Sequence, residues 1–199
     1  MIKIAILGDI GSGKSFVSKQ FRFPVFNADH EVVKLYKENK SCFKKLKKKL
    51  PNFINSFPIK KKELKAAILH NKINLKKIEN IIHPEVQKKM KRFIKLNKNK
   101  KVLIFDIPLL LEKKKFYKNF ILVYVEAKKK DINKKLKKRK NYNEEIIKNL
   151  RKLQISSKIK KKKSNYVIKN DFKRSNLKKN VKILIRKILK NNERSSTRH

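Results

Sequence analysis

The chain has 199 residues, enough to bury one sizeable hydrophobic core and few for two independent domains. Its 59 Lys and Arg against 15 Asp and Glu give a formal net charge of +44, and its one cysteine, Cys42, excludes an intrachain disulfide or a multi-cysteine metal site. No apolar run approaches the roughly 20 residues of a membrane helix, so no membrane partner is expected and a cytoplasmic location is.

The charge has two readings. Clustered Lys and Arg bind polyanions, but here the basic residues are mostly lysine and recur at 44–49, 60–62, 98–101, 113–115, 128–130, 134–140 and 160–163. A nucleic-acid surface concentrates its charge and interleaves arginine and aromatics. Compositional drift accounts for the spread better, and no specific nucleic-acid partner is expected. Some of the charge still serves to attract a phosphorylated substrate.

The first predicted element is an apolar strand at 2–7, which runs into Gly8-Asp9-Ile10-Gly11-Ser12-Gly13-Lys14-Ser15. That stretch fits G-x-x-x-x-G-K-[ST] at every fixed position, between a strand and a segment that reads as helix from Lys14. Glycine lets the backbone wrap a polyphosphate and turn its N–H groups inward at a helix N-terminus. Lys14 is then placed for the β- and γ-phosphates and Ser15 for Mg²⁺. The chain's three glycines, Gly8, Gly11 and Gly13, all lie in this loop, which argues against a mere turn. Gly8, Gly11, Ser12, Gly13, Lys14, Ser15 and Phe16 form the expected ATP cradle.

A second strand is predicted at 25–28, followed by Asp29. A carboxylate beyond the carboxyl end of a parallel strand is placed to orient or deprotonate an acceptor hydroxyl, or to cap a helix beginning near His30. The interval 30–100 is too long for one crossover and reads as a helical substrate-binding insertion. In it Leu75, Ile78, Ile82, Val86, Met90 and Phe93 make one stripe, and Pro84 predicts a break, with one helix ending near Ile82 and another starting at the proline. His83, before that proline, suits a cap or a structural hydrogen bond, with substrate contact as the alternative.

The third strand, 102–105, ends at Asp106 in the pattern of a carboxylate that holds Mg²⁺, with a simple strand-end turn residue as the alternative. Glu112 reads as a contact to the acceptor, as a lysine's partner, or as a solvated side chain in so basic a chain. A fourth strand is predicted at 120–125 and a fifth at 166–168, separated by a polar segment, 134–163, that reads as a mobile lid. Within it Arg139, with lysines on both sides, offers planar donors to phosphate or belongs to a solvated helix face, while Lys160 cannot be told from its neighbours in a four-lysine run. Leu177, Val181, Leu184, Ile185, Ile188 and Leu189 predict a last helix, and residues 191–199 a disordered tail. Strands alternating with helices predict an α/β, doubly wound, five-stranded parallel sheet.

Several segments, in order, resemble the dephospho-CoA kinases. The loop core Ile10–Ser15 matches theirs. Asn27-Ala28-Asp29 stands where the family has Asp-Ala-Asp, and His83-Pro84 with Met90 resembles its His-Pro-x-x-x-x-x-Met. Pro108-Leu109-Leu110-Leu111-Glu112 is similar to its Pro-Leu-Leu-Phe-Glu, and Gln154, Lys160 and Val167-Ile168-Lys169-Asn170 echo its lid and last strand. The resemblance implies a single P-loop kinase domain over 1–190, with the insertion at about 30–100 and the lid at about 134–163. It implies ATP with Mg²⁺, dephospho-CoA as the partner molecule, Lys14, Asp29 and Arg139 as catalytic groups, Asp29, His83 and Glu112 on the acceptor, and Ser15 and Asp106 on the metal.

The chain departs from the family in places. Asn27 replaces an Asp, Gln87 an Arg, Asn165 an Asp, and Leu7 a Thr; Arg22–Pro24 lacks a glycine; and Asp9 replaces a Gly inside the loop, where its side chain is expected to point away from the phosphates. The rival readings are another small-molecule or nucleotide kinase, a basic nucleic-acid-binding protein, and a nucleotide-dependent switch. Oligomeric state is not legible in the sequence.

Overall fold

Short β-branched and aliphatic runs form an all-parallel, five-stranded sheet in a computed structural model that describes residues 1–107, 119–139, 142–152 and 154–196. The strands are β1 (Ile2–Gly8), β2 (Val25–Asn27), β3 (Val102–Asp106), β4 (Ile121–Glu126) and β5 (Tyr166–Lys169), in the order β2-β3-β1-β4-β5. Ile2 is in register with Val102, Ile4 with Ile121 and Val123 with Tyr166. The order makes β1 central, so the glycine loop and Asp106 leave neighbouring strands at one carboxyl edge, where parallel sheets bind ligands.

Two compact units divide the chain. One comprises residues 1–26 and 99–199 and contains the glycine loop. Its core joins Ile4, Ile6, Ile104, Val123 and Val125 to Val17 of α1 (Lys14–Gln20) and to Leu177, Val181 and Ile188 of α9 (Arg174–Ser196). Full burial of such a side chain contributes about 1.5–3 kcal/mol, and strands covered on both faces need no polar alternation. Helix α9 runs through residues 191–196, where the apolar stripe has ended and a disordered tail is expected. Once a helix is nucleated by its packed stripe, each further residue costs little.

The segment 134–163 is helical for much of its length: α6 (Lys129–Lys137) ends in it, followed by α7 (Glu144–Lys152) and α8 (Ser157–Lys163).

The other unit, Asn27–Lys98, holds α2 (Ala28–Glu38), α3 (Lys40–Lys49), α4 (Lys61–His70) and α5 (Lys72–Leu96) around Leu35, Cys42, Leu46, Ile54, Ala67, Ile78 and Ile82. Asparagines cap three of these helices: Asn27 accepts from the His30 N–H, Asn39 from Cys42 and Asn71 from Ile73, each at 2.8 Å. Glu63 organises the approach to α4, accepting from the backbone N–H groups of Asn55, Ser56 and Lys60 and from the Ser56 hydroxyl. Burial pushes the Glu63 carboxyl up, but those hydrogen bonds outweigh it and hold it below the usual range.

Two expectations are corrected here. Ala28 begins α2 rather than ending β2, because Asn27 caps the helix one residue before it. Helix α5 passes through Pro84 without a break. A proline lacks one N–H and crowds the preceding turn, but Ile78 and Ile82 before it and Met90 after it are all buried, and that packing outweighs the defect.

Candidate active site

Strand β1 delivers its last residue, Gly8, into the loop, and Gly13 ends the loop as the N-cap of α1. Gly13, as the N-cap, contributes no side-chain cap to α1, and the start of a helix is a place where backbone N–H groups bind anions. Glycine is required by geometry at two places. Gly11 (φ 83°) lies under α6, where a Cβ would meet Leu136 at 2.8 Å and Ile132 at 3.0 Å. Gly13 (φ 88°) lies against Asn170, whose amide nitrogen would be 2.5 Å from a Cβ.

The Lys14 ammonium folds back over the loop and donates to the Gly8 and Asp9 carbonyl oxygens, at 3.1 Å each. Both acceptors are neutral carbonyls, so a phosphate oxygen that takes their place adds the attraction of opposite full charges to the ammonium's hydrogen bond. Ser15, in the first turn of α1, is an exposed residue whose hydroxyl donates to Asp106 Oδ2 at 2.5 Å. Asp106 itself is 3% exposed. The two residues expected at a metal therefore meet, although 91 positions separate them. A hydroxyl and a carboxylate are hard oxygen donors of the kind Mg²⁺ takes alongside phosphate oxygens.

Asp9 turns its carboxylate toward β4 and α8. It accepts from Tyr124 Oη at 3.2 Å, Ser157 Oγ at 2.6 Å and Lys160 Nζ at 3.1 Å. Burial pushes the Asp9 carboxyl up, but the hydrogen bonds from Ser157 and Lys160, the lysine's charge and the tyrosine hydroxyl together hold it below its ordinary 3.8. Burial and the Asp9 charge push Tyr124 to about 12, so its hydroxyl remains a donor at neutral pH. Asp9 also lines a cavity of about 260 Å³ together with Ile10, Asn133 of α6, Arg151 of α7, and Gln154 and Ser157.

This constellation invites comparison with known proteins. A family model described as dephospho-CoA kinase matches residues 2–176. The chain belongs to the dephospho-CoA kinase family. It is 30% identical to the dephospho-CoA kinase of Bartonella henselae over 94% of this chain and 98% of that one. It is 35% identical to the dephospho-CoA kinase of Fusobacterium nucleatum over 89% and 94%. A solved structure of the Campylobacter jejuni dephospho-CoA kinase superposes with a TM-score of 0.64 at 24% identity, covering 94% of this chain and 96% of that one, and shares its fold.

The remaining residues that the kinase family suggests are distributed as follows. Asp29 is exposed in the first turn of α2, and since Asn27 makes the cap, the capping role considered for Asp29 is already filled. His83 is half-buried in the middle of α5, which removes its expected role as a cap, because Asn71 caps that helix. Arg139 follows α6 and is exposed, its backbone N–H bonded to the Leu136 carbonyl at 3.0 Å. Phe16 is 39% exposed in the first turn of α1. Pro108 and Glu112 lie outside the described residues.

One residue carries more than its place in the sequence suggests. Asn170, after β5, is 3% exposed. Its amide donates to the Ser12 carbonyl at 2.8 Å and its oxygen accepts from the Phe172 N–H at 3.0 Å, tying the β5–α9 turn to the glycine loop. The available signal was its place at the end of Val167-Ile168-Lys169-Asn170, the segment that resembles the family's last strand. The change from Asp to Asn at 165 is harmless at the contact it makes, since Asn165 Oδ1 still accepts from the Leu122 N–H at 2.8 Å.

Proposed function

We propose that this kinase transfers the γ-phosphoryl group of ATP to the ribose 3′-hydroxyl of dephospho-CoA, giving CoA in the last step of its synthesis. The observation that carries the reading is the Ser15–Asp106 contact beside a glycine loop whose lysine rests on neutral carbonyls, in a chain of this family. Lys14 leaves the Gly8 and Asp9 carbonyls for the β- and γ-phosphates, and the N–H groups at the start of α1 receive the remaining phosphate charge. Ser15 Oγ and Asp106 Oδ2 would hold Mg²⁺, which when bound neutralises phosphate charge.

Asp29 orients the 3′-hydroxyl and takes its proton as the new O–P bond forms and the bond to ADP breaks. His83 and Glu112 contact the acceptor, Arg139 meets the phosphates, and the segment 134–163 excludes water, which would otherwise take the phosphoryl group. The unit 27–98 receives the acceptor in this reading. A cytoplasmic location belongs to it as well, since a free cysteine such as Cys42 stays reduced there.

The test is ATP-dependent, Mg²⁺-dependent conversion of dephospho-CoA to CoA by the purified protein. Absence of CoA together with clear phosphorylation of a nucleoside monophosphate would remove the acceptor and leave the kinase.

A further inference from the structure

The phosphate loop contains a carboxylate where a bound triphosphate would bring about four negative charges. Such a side chain can persist only if its charge is cancelled or its position shielded. Three donors from outside the loop converge on it: Tyr124 from β4, and Ser157 and Lys160 from α8.

Lys160 differs from the lysines around it. It is 4% exposed, whereas Lys161, Lys162 and Lys163 are exposed, and Lys161 pairs with Glu126 on the outer side of the same helix at 2.6 Å. Its ammonium has two acceptors, Asp9 Oδ1 at 3.1 Å and Gln154 Oε1 at 3.0 Å. A buried ammonium without a counter-ion is costly, and so is a carboxylate beside phosphates; each residue supplies what the other lacks.

We propose that Lys160 is the counter-ion that allows the phosphate loop to carry Asp9, and that it acts on nucleotide binding through that carboxylate instead of touching the triphosphate. The pair presents the nucleotide with a dipole rather than a net charge. Ser157 and Tyr124 hold the carboxylate in the orientation that keeps the pair closed, and the Asp9 backbone carbonyl stays in place as the resting partner of Lys14. Lys160 is therefore a positioning residue. The inference rests on ATP binding by the loop, as proposed above.

A double-substitution cycle on the full-length protein tests it, with ATP affinity measured calorimetrically without acceptor, and melting temperature recorded for each variant. Lys160→Gln leaves Asp9 uncompensated and is expected to weaken ATP binding about tenfold or more. Asp9→Asn removes the repulsive charge, tightens ATP binding a few-fold, and lowers the melting temperature because the buried ammonium loses its partner. The double variant is expected to recover most of the affinity lost in Lys160→Gln, and Lys160→Arg, which keeps the charge, to bind nearly as the unsubstituted protein does.

If the double variant binds as poorly as Lys160→Gln, Lys160 touches phosphate directly and the inference falls. It falls equally if Lys160→Gln binds normally, or if a folded Lys160→Arg fails to bind. An unsubstituted protein that binds no ATP would instead overturn the nucleotide reading itself, and the melting temperatures would still report whether Asp9 and Lys160 are coupled.

Discussion

Arg22 is held at φ 58°, in the left-handed region, immediately after Phe21 ends α1. That is the position where helices most often place glycine, since a side chain there costs about 1 kcal/mol. With the family's glycine missing from Arg22–Pro24, a residue with a side chain takes the left-handed conformation here. Arg22→Gly is expected to stabilise the protein by about 1 kcal/mol in urea unfolding, offset in part by the greater freedom of glycine in the unfolded chain. No gain, or a loss, would mean the arginine makes a compensating contact. Gly11 and Gly13 show the opposite outcome: there positive φ coincides with a neighbour within 3.0 Å of a Cβ, so the demand is steric as well as torsional, and glycine has stayed.

At the scale of elements, α8 shows how a lysine-rich helix can be docked. Its four consecutive lysines, 160–163, give no periodic apolar stripe, yet one is buried against Asp9 and the next pairs with Glu126. The docking has a pH dependence of definite sign. The Asp9 carboxyl is held below its ordinary 3.8 in the folded protein, so its contribution is complete above that pH and is lost as the pH falls further. Acid titration of stability should therefore show a steeper loss below about pH 4 for the unsubstituted protein than for Asp9→Asn, read from melting temperature at each pH. Identical acid limbs would show that Asp9 does not anchor α8. In α5, by contrast, a local breaker was overruled: Pro84 removes one backbone bond, while the buried Ile78, Ile82 and Met90 bind the helix on both sides of it.

Across the whole molecule the dominant physical fact is the charge of +44. The 59 basic residues outnumber the 15 acidic ones, so most of them have no carboxylate of their own to pair with. Like charges at this density repel and destabilise the compact state. Raising NaCl from about 0.01 M to about 0.15 M shortens the screening length from about 30 Å to about 8 Å. The melting temperature should rise by several degrees over that interval. A flat or falling profile would show that the lysines are compensated by contacts rather than merely tolerated.

The sequence by itself determined the nucleotide loop, the five strands to within a residue at most ends, the parallel α/β class and the family. These are properties of short contiguous patterns: a glycine motif after an apolar run, and apolar runs without polar alternation. Only the tertiary structure decided the fate of single residues. It passed α5 through Pro84, assigned the cap of α2 to Asn27 and so left Asp29 without that task, and brought Ser15 against Asp106. It also singled out Lys160 from an undifferentiated lysine run by burying it beside Asp9, 151 residues away. The physical reason is the same in each case. Local preferences differ by about 1 kcal/mol, whereas burying an apolar side chain or leaving a buried charge unpaired is worth several, and burial is set by chain segments that the local pattern does not contain.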